Sequence, residues 1–243
     1  MIKADVLRAV DWRAFAPERV TPGMIEMDGR MMRIVTGLSG ATYNSALAPM
    51  KPERLEDFLR PEWKGRIAST PYAAGFDVLV ANDVWGEKRL FDFVRALTKQ
   101  VAGLIRCGDT ERVATGEFLA IVMDCTGQDA LVWQEKGAPI EQMLPLDAAQ
   151  KRYYYFGVPK HAQNPSAATL FSLYVMSAAG QKFAYDTWKT DLHLFAGSQM
   201  SKVTEGFEKR GVQYREITMD WWMKHPEIDQ KRAELIKILT TKE

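Results

Sequence analysis

The chain has 243 residues, of which 47% are hydrophobic and 26% charged, with a formal net charge of +1. A chain of this length buries roughly 70–75% of its unfolded surface, enough for one large domain or two small lobes. The near-neutral balance excludes a nucleic-acid footprint or a polybasic membrane patch, and no apolar run reaches membrane-spanning length.

Residues 1–29 read as irregular, punctuated by Pro17, Pro22 and Gly23. Arg30–Thr36 reads as a strand, carried through Gly37-Leu38-Ser39-Gly40 towards Tyr43-Asn44. Pro52 opens a short helix bearing Leu55, Phe58 and Leu59, and Pro61 ends it. Arg66–Thr70 is a strand, and Pro71 turns into a helix with Phe76, Leu79, Val80 and Val84 inward. A second helix follows Gly86, with Leu90, Val94 and Leu97 on one side. Leu104–Cys107 is a strand, Gly108-Asp109-Thr110 a turn and Glu111–Thr115 a short helix. Phe118–Met123 is apolar throughout, as in a parallel strand covered on both faces. A helix over 128–136 and a strand over 139–144 lead to the tyrosine strand, Tyr153-Tyr154-Tyr155-Phe156-Gly157-Val158-Pro159-Lys160. The alternation implies an α/β doubly wound sheet.

Two helices come next. Asn164 is placed to cap the first and Pro165 sits where a missing N–H costs nothing. Ala167, Leu170, Phe171, Tyr174, Val175 and Ala178 share one face at helical spacing, so the spacing predicts that this face is buried. Ser177 caps the second helix, whose Phe183 and Trp188 are expected to pack on the same core. The tail from Asp191 reads as mostly helical and closes with Ile228–Thr240.

Ligands of open parallel sheets bind beyond the carboxyl ends of the strands. Four such places stand out: Ser69-Thr70-Pro71-Tyr72, Gly108-Asp109-Thr110, Asp124-Cys125-Thr126, and Ser39 to Asn44. Ordinary capping explains any single member, so only their convergence points to a ligand site. A cation would suit Asp124 with Tyr72 and Tyr43, by ion pairing and cation–π contact. An anion would suit the N–H groups near Thr70 and Thr110, helped by Arg106. Cys107 and Cys125 show no metal spacing; they read either as a disulfide between neighbouring strand ends or, the favoured reading, as two small buried hydrophobes.

Several stretches resemble bacterial extracellular solute-binding proteins that feed ABC transporters. These are Asn164-Pro165-Ser166-Ala167-Ala168-Thr169-Leu170-Phe171 running on to Ser177-Ala178-Ala179-Gly180-Gln181, Arg54–Ile67 with its Pro61-Glu62-Trp63-Lys64-Gly65-Arg66, Tyr43-Asn44-Ser45, and Thr115-Gly116-Glu117. The order is kept and most of the chain is spanned; the branch most resembled includes ferric-iron binders. The resemblance implies a two-lobed, type 2 periplasmic-binding-protein-like α/β fold. Lobe one would take 1–43 and 155–243, lobe two 44–154, with crossover strands near 36–44 and 152–158. It implies capture of a small-molecule or ion solute in the interlobe cleft, delivery to a membrane permease, no cofactor, and a periplasmic or cell-surface location for the full-length protein. The expected ligand-binding set is Ser39, Tyr43, Asn44, Ser69, Thr70, Tyr72, Asp109, Thr110, Asp124, Thr126 and Tyr155.

Two departures matter. Val10-Asp11-Trp12-Arg13-Ala14-Phe15 resembles a segment well inside lobe one of the family, and Met1 does not begin a secretory signal, so lobe one is expected to be incomplete at the amino terminus. Where iron-binding relatives carry adjacent tyrosines, this chain has Asp124, Cys125 and Thr126, which argues against iron. The rival readings are an esterase of the α/β-hydrolase kind, with Ser39 in Gly37-Leu38-Ser39-Gly40-Ala41 followed by Asp186 and His193, a non-transport use of the same fold as a sensor or effector-binding domain, and a truncated remnant that binds nothing.

Overall fold

The computed structural model describes residues 5–125 and 127–241. In chain order, the first elements are β1 (Leu7–Arg8), α1 (Trp12–Phe15), β2 (Ile25–Glu26), β3 (Met31–Asn44), β4 (Ile67–Ser69) and α2 (Glu87–Thr98). Next come β5 (Val101–Leu104), α3 (Glu111–Ala114), β6 (Ala120–Asp124), α4 (Asp129–Glu135), β7 (Ile140–Met143) and β8 (Ala149–Phe156). Then follow β9 (Val158–Pro159), α5 (Pro165–Val175), α6 (Ala178–Trp188), α7 (Gln199–Glu208), β10 (Tyr214–Ile217), α8 (Met219–Met223) and α9 (Glu227–Thr240). Among the described residues no helix is long and apolar enough to cross a membrane.

The chain folds into two compact units. The first holds Met1–Gly37, Arg152–Gly206 and Ile217–Trp221; the second holds Leu38–Lys151, Phe207–Glu216 and Trp222–Glu243. The backbone changes unit inside β3, at Gly37–Leu38, and inside β8, at Lys151–Arg152. The sequence expectation set these divisions after Tyr43 and before Tyr155, and gave all of 155–243 to the first unit. Instead α9 lies in the second, where Ile228, Leu235 and Leu239 are buried. Arg232 there reaches the buried Asp77 at 2.7 Å and Lys231 reaches Glu87 at 2.6 Å.

In the first unit, Trp12, Val20, Met24, Met32, Tyr153 and Met176 belong to one core. The segment expected to be irregular is organised by Trp12, whose indole Nε1–H donates to the Gly29 carbonyl at 2.8 Å. Gly29 takes φ +82°, and a Cβ there would stand 2.6 Å from the Val10 carbonyl oxygen, so only glycine fits. The Ser177–Gln181 run has a mechanical basis. The Ser177 hydroxyl accepts from Gly180 N at 3.1 Å, and a Cβ on Gly180 would meet the Tyr174 carbonyl at 2.2 Å. Gln181 Nε2 donates to the carbonyls of Ile34 and Val175, while its Oε1 accepts from Leu192 N at 2.7 Å. One buried amide thus holds α5, α6, β3 and the chain beyond α6 together.

Of the predicted inward face of α5, Val175 packs against the core, but its large members Leu170, Phe171 and Tyr174 do not. Leu170, Phe171 and Tyr174 are 69%, 58% and 51% exposed, whereas Leu173 and Met176 join the core. Phe183 and Trp188 on α6 also stay exposed, in edge contact with each other. The helix is apolar on nearly every side, so spacing alone could not choose its buried face. Asn164 makes no side-chain cap bond.

In the second unit, β4 pairs in parallel with β5 on one side and β6 on the other, and β6 pairs antiparallel with the end of β3. β7 also pairs antiparallel with β3, over Ala41–Asn44. The continuous apolar run of β6 is buried throughout, as a covered parallel strand requires. The Pro61–Ile67 motif places Trp63 in the core against Phe58, ring centroids 5.0 Å apart. Gly65 takes φ +71° and its N–H meets the Gln100 carbonyl at 2.8 Å. The helix expected over Phe76–Val84 shrinks to a single 3-10 turn, Asp77–Val80. The strand expected at Leu104–Cys107 ends at Leu104, and β10 interrupts the tail.

Candidate functional site

Parallel pairing decides which loops meet. The register Ser69↔Leu104 and Ser69↔Val122 brings the carboxyl ends of β4, β5 and β6 to one edge of the second unit. Three loops leave that edge: Thr70–Ala73, Ile105–Thr110, and the one that holds Cys125, Gly127 and Gln128. Of the expected residues, Ser69, Thr70, Tyr72, Asp109, Thr110 and Asp124 lie on these loops or strand ends. Ser39 joins them through β3, because its hydroxyl donates to the Cys125 carbonyl at 2.9 Å. Thr126 lies outside the described residues.

Asp124 is the hub. Its Oδ1 accepts from Gly108 N at 3.1 Å and from Cys125 N at 2.9 Å, and its Oδ2 accepts from the Thr42 hydroxyl at 3.2 Å. The residue is 1% exposed, so its carboxylate organises the loops and does not project from them. Burial pushes its pKa above the usual carboxylate range, against the lowering effect of the three donors. Met123, just before it, takes φ +61°, a left-handed conformation that costs a non-glycine residue about 1–3 kcal/mol. Asp129, at the first turn of α4, has its pKa raised by partial desolvation and by the Asp124 charge. Its carboxylate flanks Gly108, where a Cβ would stand 2.6 Å from Oδ2.

Cys107 and Cys125 form a disulfide, with Cα atoms 5.4 Å apart. This corrects the favoured expectation of two unlinked buried hydrophobes. Both residues are only half-buried, and the bond ties the loop after β5 to the loop after β6.

The other members divide. The Ser69 hydroxyl donates to the Val122 carbonyl at 2.9 Å, knitting β4 to β6. Thr70 is fully buried and its hydroxyl oxygen has no hydrogen-bond partner among the described residues. Thr110 is buried as well, its carbonyl accepting from Val113 N and Ala114 N. Tyr72 is 42% exposed, and Asp109 lies 3.9 Å from Arg112.

Tyr43 and Asn44 lie at the opposite edge. The pairs Gly40↔Asp124 and Tyr43↔Ala120 separate them from Asp124 by four residues of β6, about 13 Å of strand. The Tyr43 hydroxyl donates to Glu141 Oε2 at 2.8 Å beside a cavity of about 270 Å³ that Lys51 and Arg210 also line. Asn44 is spent on structure. Its Nδ2 donates to the Val113 carbonyl at 3.0 Å, and its Oδ1 accepts from Ala46 N and Leu47 N at 3.1 Å each.

Tyr155 belongs to the first unit. Its hydroxyl donates to Glu26 Oε1 at 2.9 Å, and burial together with that carboxylate raises its pKa. Strand alternation turns Tyr153 and Tyr155 to one face and leaves Tyr154 52% exposed on the other. Among the described residues, no group of three or more His, Cys, Asp or Glu is placed to hold a metal ion.

The hydrolase reading loses its geometry. Ser39 sits in the middle of β3, fully buried, and not on a strand-to-helix elbow. His193 Nδ1 meets the Thr36 hydroxyl at 2.9 Å, and Asp186 pairs with Lys182. Ser39→Ala is therefore expected to cost about 1 kcal/mol of stability, one hydrogen bond's worth, and to leave ester hydrolysis unchanged. Urea unfolding and a nitrophenyl-ester assay check this.

Sequence reasoning named the stretches that hold Thr42 and Gly108 without giving either residue a role, and missed Asp129. Gly108 carried a signal, since glycine directly after a strand and before Asp-Thr marks a tight turn. Thr42 carried none, because its role follows from the antiparallel register of β3 on β6.

No family model matches the chain. An uncharacterized protein of Haemophilus influenzae is 24% identical over 188 residues, which are 71% of this chain and 54% of that protein. The chain thus spans about half the length of the curated relative it matches. Among solved structures, the substrate binding protein of an ABC transporter from Agrobacterium tumefaciens superposes with a TM-score of 0.72 at 15% identity, over 99% of this chain and 75% of that one. The periplasmic binding protein AfuA of Actinobacillus pleuropneumoniae, with fructose-6-phosphate bound, gives 0.70 at 17% identity, over 97% and 76%. The ferric binding protein of Campylobacter jejuni gives 0.65 at 18% identity, over 98% and 78%. The chain has the fold of the two-lobed periplasmic binding proteins.

Proposed function

We propose that this protein is the solute-binding component of an ABC importer, which captures a small polar solute and hands it to a membrane permease without transforming it. The observation that carries this reading is the convergence of three loops, pinned by Asp124 and by Cys107–Cys125, at the carboxyl edge of β4, β5 and β6. That edge is where open parallel sheets bind ligands. The neighbours of like fold are substrate-binding proteins. The disulfide suits an oxidising compartment, and we place the protein in the periplasm or at the cell surface. Iron is not the solute, because the two described residues at the position of the family's ligand tyrosines are Asp124 and Cys125, both engaged in the loop network.

A thermal-shift screen of spermidine, fructose 6-phosphate, free amino acids and ferric citrate tests the reading. A solute at a hundred times its Kd adds about 2.7 kcal/mol to the native state. For a chain of this size that corresponds to a rise in Tm of about 5–10 °C. One chemical class is expected to give such a shift. A rise with ferric citrate alone overturns the exclusion of iron, and no rise with any member favours the non-binding remnant.

A further inference from the structure

We propose that Cys107–Cys125 is a redox-controlled clamp on the solute edge: oxidised, it holds the loops after β5 and β6 together over the end of β4; reduced, it lets them part. The inference deepens the solute-binding reading and rests on it for its functional consequence. The strand order carries it. β5 and β6 are not neighbours; β4 lies between them and pairs with both. Strands two places apart in a sheet are separated by about 9.5 Å. The two cysteine Cα atoms are nevertheless 5.4 Å apart, so both loops lean inward across the carboxyl end of β4. Ser69 and Thr70, which form that end, are 1% and 0% exposed.

Gly108 N donates to Asp124 Oδ1, and Asp129 stands beside Gly108. The helices that follow, α3 and α4, are short, with four and seven residues. Beneath the clamp, the Thr70 hydroxyl is buried without a partner among the described residues, an arrangement that opening would relieve by letting water reach it. Both cysteines are half-buried, so a thiolate can reach the bond.

The exchange balances with a dithiol as reductant. One of its thiolates attacks a protein sulfur, forms a mixed disulfide and releases the other cysteine as a thiolate. Its second thiol then displaces the remaining cysteine. Two electrons and two protons pass to the protein, which holds two thiols, and the dithiol leaves as a disulfide. The oxidised state presents pre-ordered loops to the solute, which removes an ordering cost from binding.

The test is amide hydrogen exchange on the full chain, oxidised, reduced with dithiothreitol, and reoxidised, with Cys107→Ser/Cys125→Ser as a second route to the open state. The expected result is a loss of protection of at least tenfold at Ile105–Thr110 and Cys125–Gln128, reversed on reoxidation, with the interior of β6 unchanged. Unchanged loop protection overturns the clamp. Equal loss across the whole second unit also overturns it, since the bond would then be a general staple on the unfolded chain and not a clamp on the two loops. Spermidine and fructose 6-phosphate are titrated in both redox states. Weaker binding of either probe on reduction supports the functional consequence, and equal affinity in both states overturns it. Absence of binding in both states counts against the solute-binding reading, while the exchange data still decide the clamp.

Discussion

Replacing Arg33 with methionine is expected to destabilise the first unit by about 3–5 kcal/mol, the cost of leaving one partner of a buried ion pair behind. Arg33 Nε lies 2.5 Å from Glu26 Oε1, and the two side chains are only 10% and 6% exposed. Glu26 also accepts from the Tyr155 hydroxyl at 2.9 Å and from Met219 N at 2.6 Å. One carboxylate therefore fastens β2, β3, β8 and the start of α8. Methionine fills much of the arginine's volume, so a cavity adds little, and the loss reports the uncompensated charge. The guanidinium also lies 4.2 Å from the Tyr153 ring centroid, and that contact goes with it.

The double variant Arg33→Met/Glu26→Gln isolates the cause. Glutamine removes the stranded charge; its single amide oxygen accepts from Met219 N and the Tyr155 hydroxyl turns to accept from the amide N–H, so stability should recover by roughly half. Urea unfolding followed by exchange of first-unit amides, with Trp12 fluorescence as a second probe, resolves the effect from the second unit. A loss below about 1 kcal/mol for Arg33→Met would show that water or relaxation compensates Glu26, and the pair would then be an ordinary surface contact.

What the sequence made legible follows the strength of each local signal. The run Phe118–Met123 could be placed as a covered strand because nothing polar interrupts it, and β6 is where it falls. The motif around Gly180-Gln181 was recognisable because a backbone approach of about 2 Å to a hypothetical Cβ leaves no alternative to glycine. Long-range choices were not legible. Tyr43 and Asp124 looked like neighbours until the antiparallel register of β3 on β6 sent them to opposite edges. The apolar circumference of α5 hid which side is buried. Asp124 was expected to offer its carboxylate to a ligand, yet its oxygens serve Gly108, Cys125 and Thr42. The unit to which α9 belongs is fixed by Arg232 meeting Asp77 across 155 residues, which no spacing within the helix announces.

Asp124→Ala should remove about 4 kcal/mol from the second unit and abolish solute binding. Three donors lose their acceptor together: Gly108 N, Cys125 N and the Thr42 hydroxyl, each buried donor costing about 1–3 kcal/mol when stranded. Asp124→Asn separates geometry from charge. Its carbonyl oxygen still serves the two N–H groups, and the Thr42 hydroxyl turns to accept from the new amide, so the loops stay in place. The charge difference appears in the pH profile. Burial raises the folded pKa of Asp124 above its unfolded value of 3.8, so the native state binds the proton more tightly than the unfolded chain. That contribution is complete below pH 3.8 and is lost as pH rises through the folded pKa. Stability of the wild type relative to Asp124→Asn should therefore fall with rising pH across that window and level off above it. Urea unfolding of both proteins from pH about 4 to about 8 gives the difference directly. A flat difference would mean that the three donors offset burial completely, and Asp124 would then remain an ordinary ionised carboxylate holding the two loops by hydrogen bonds alone.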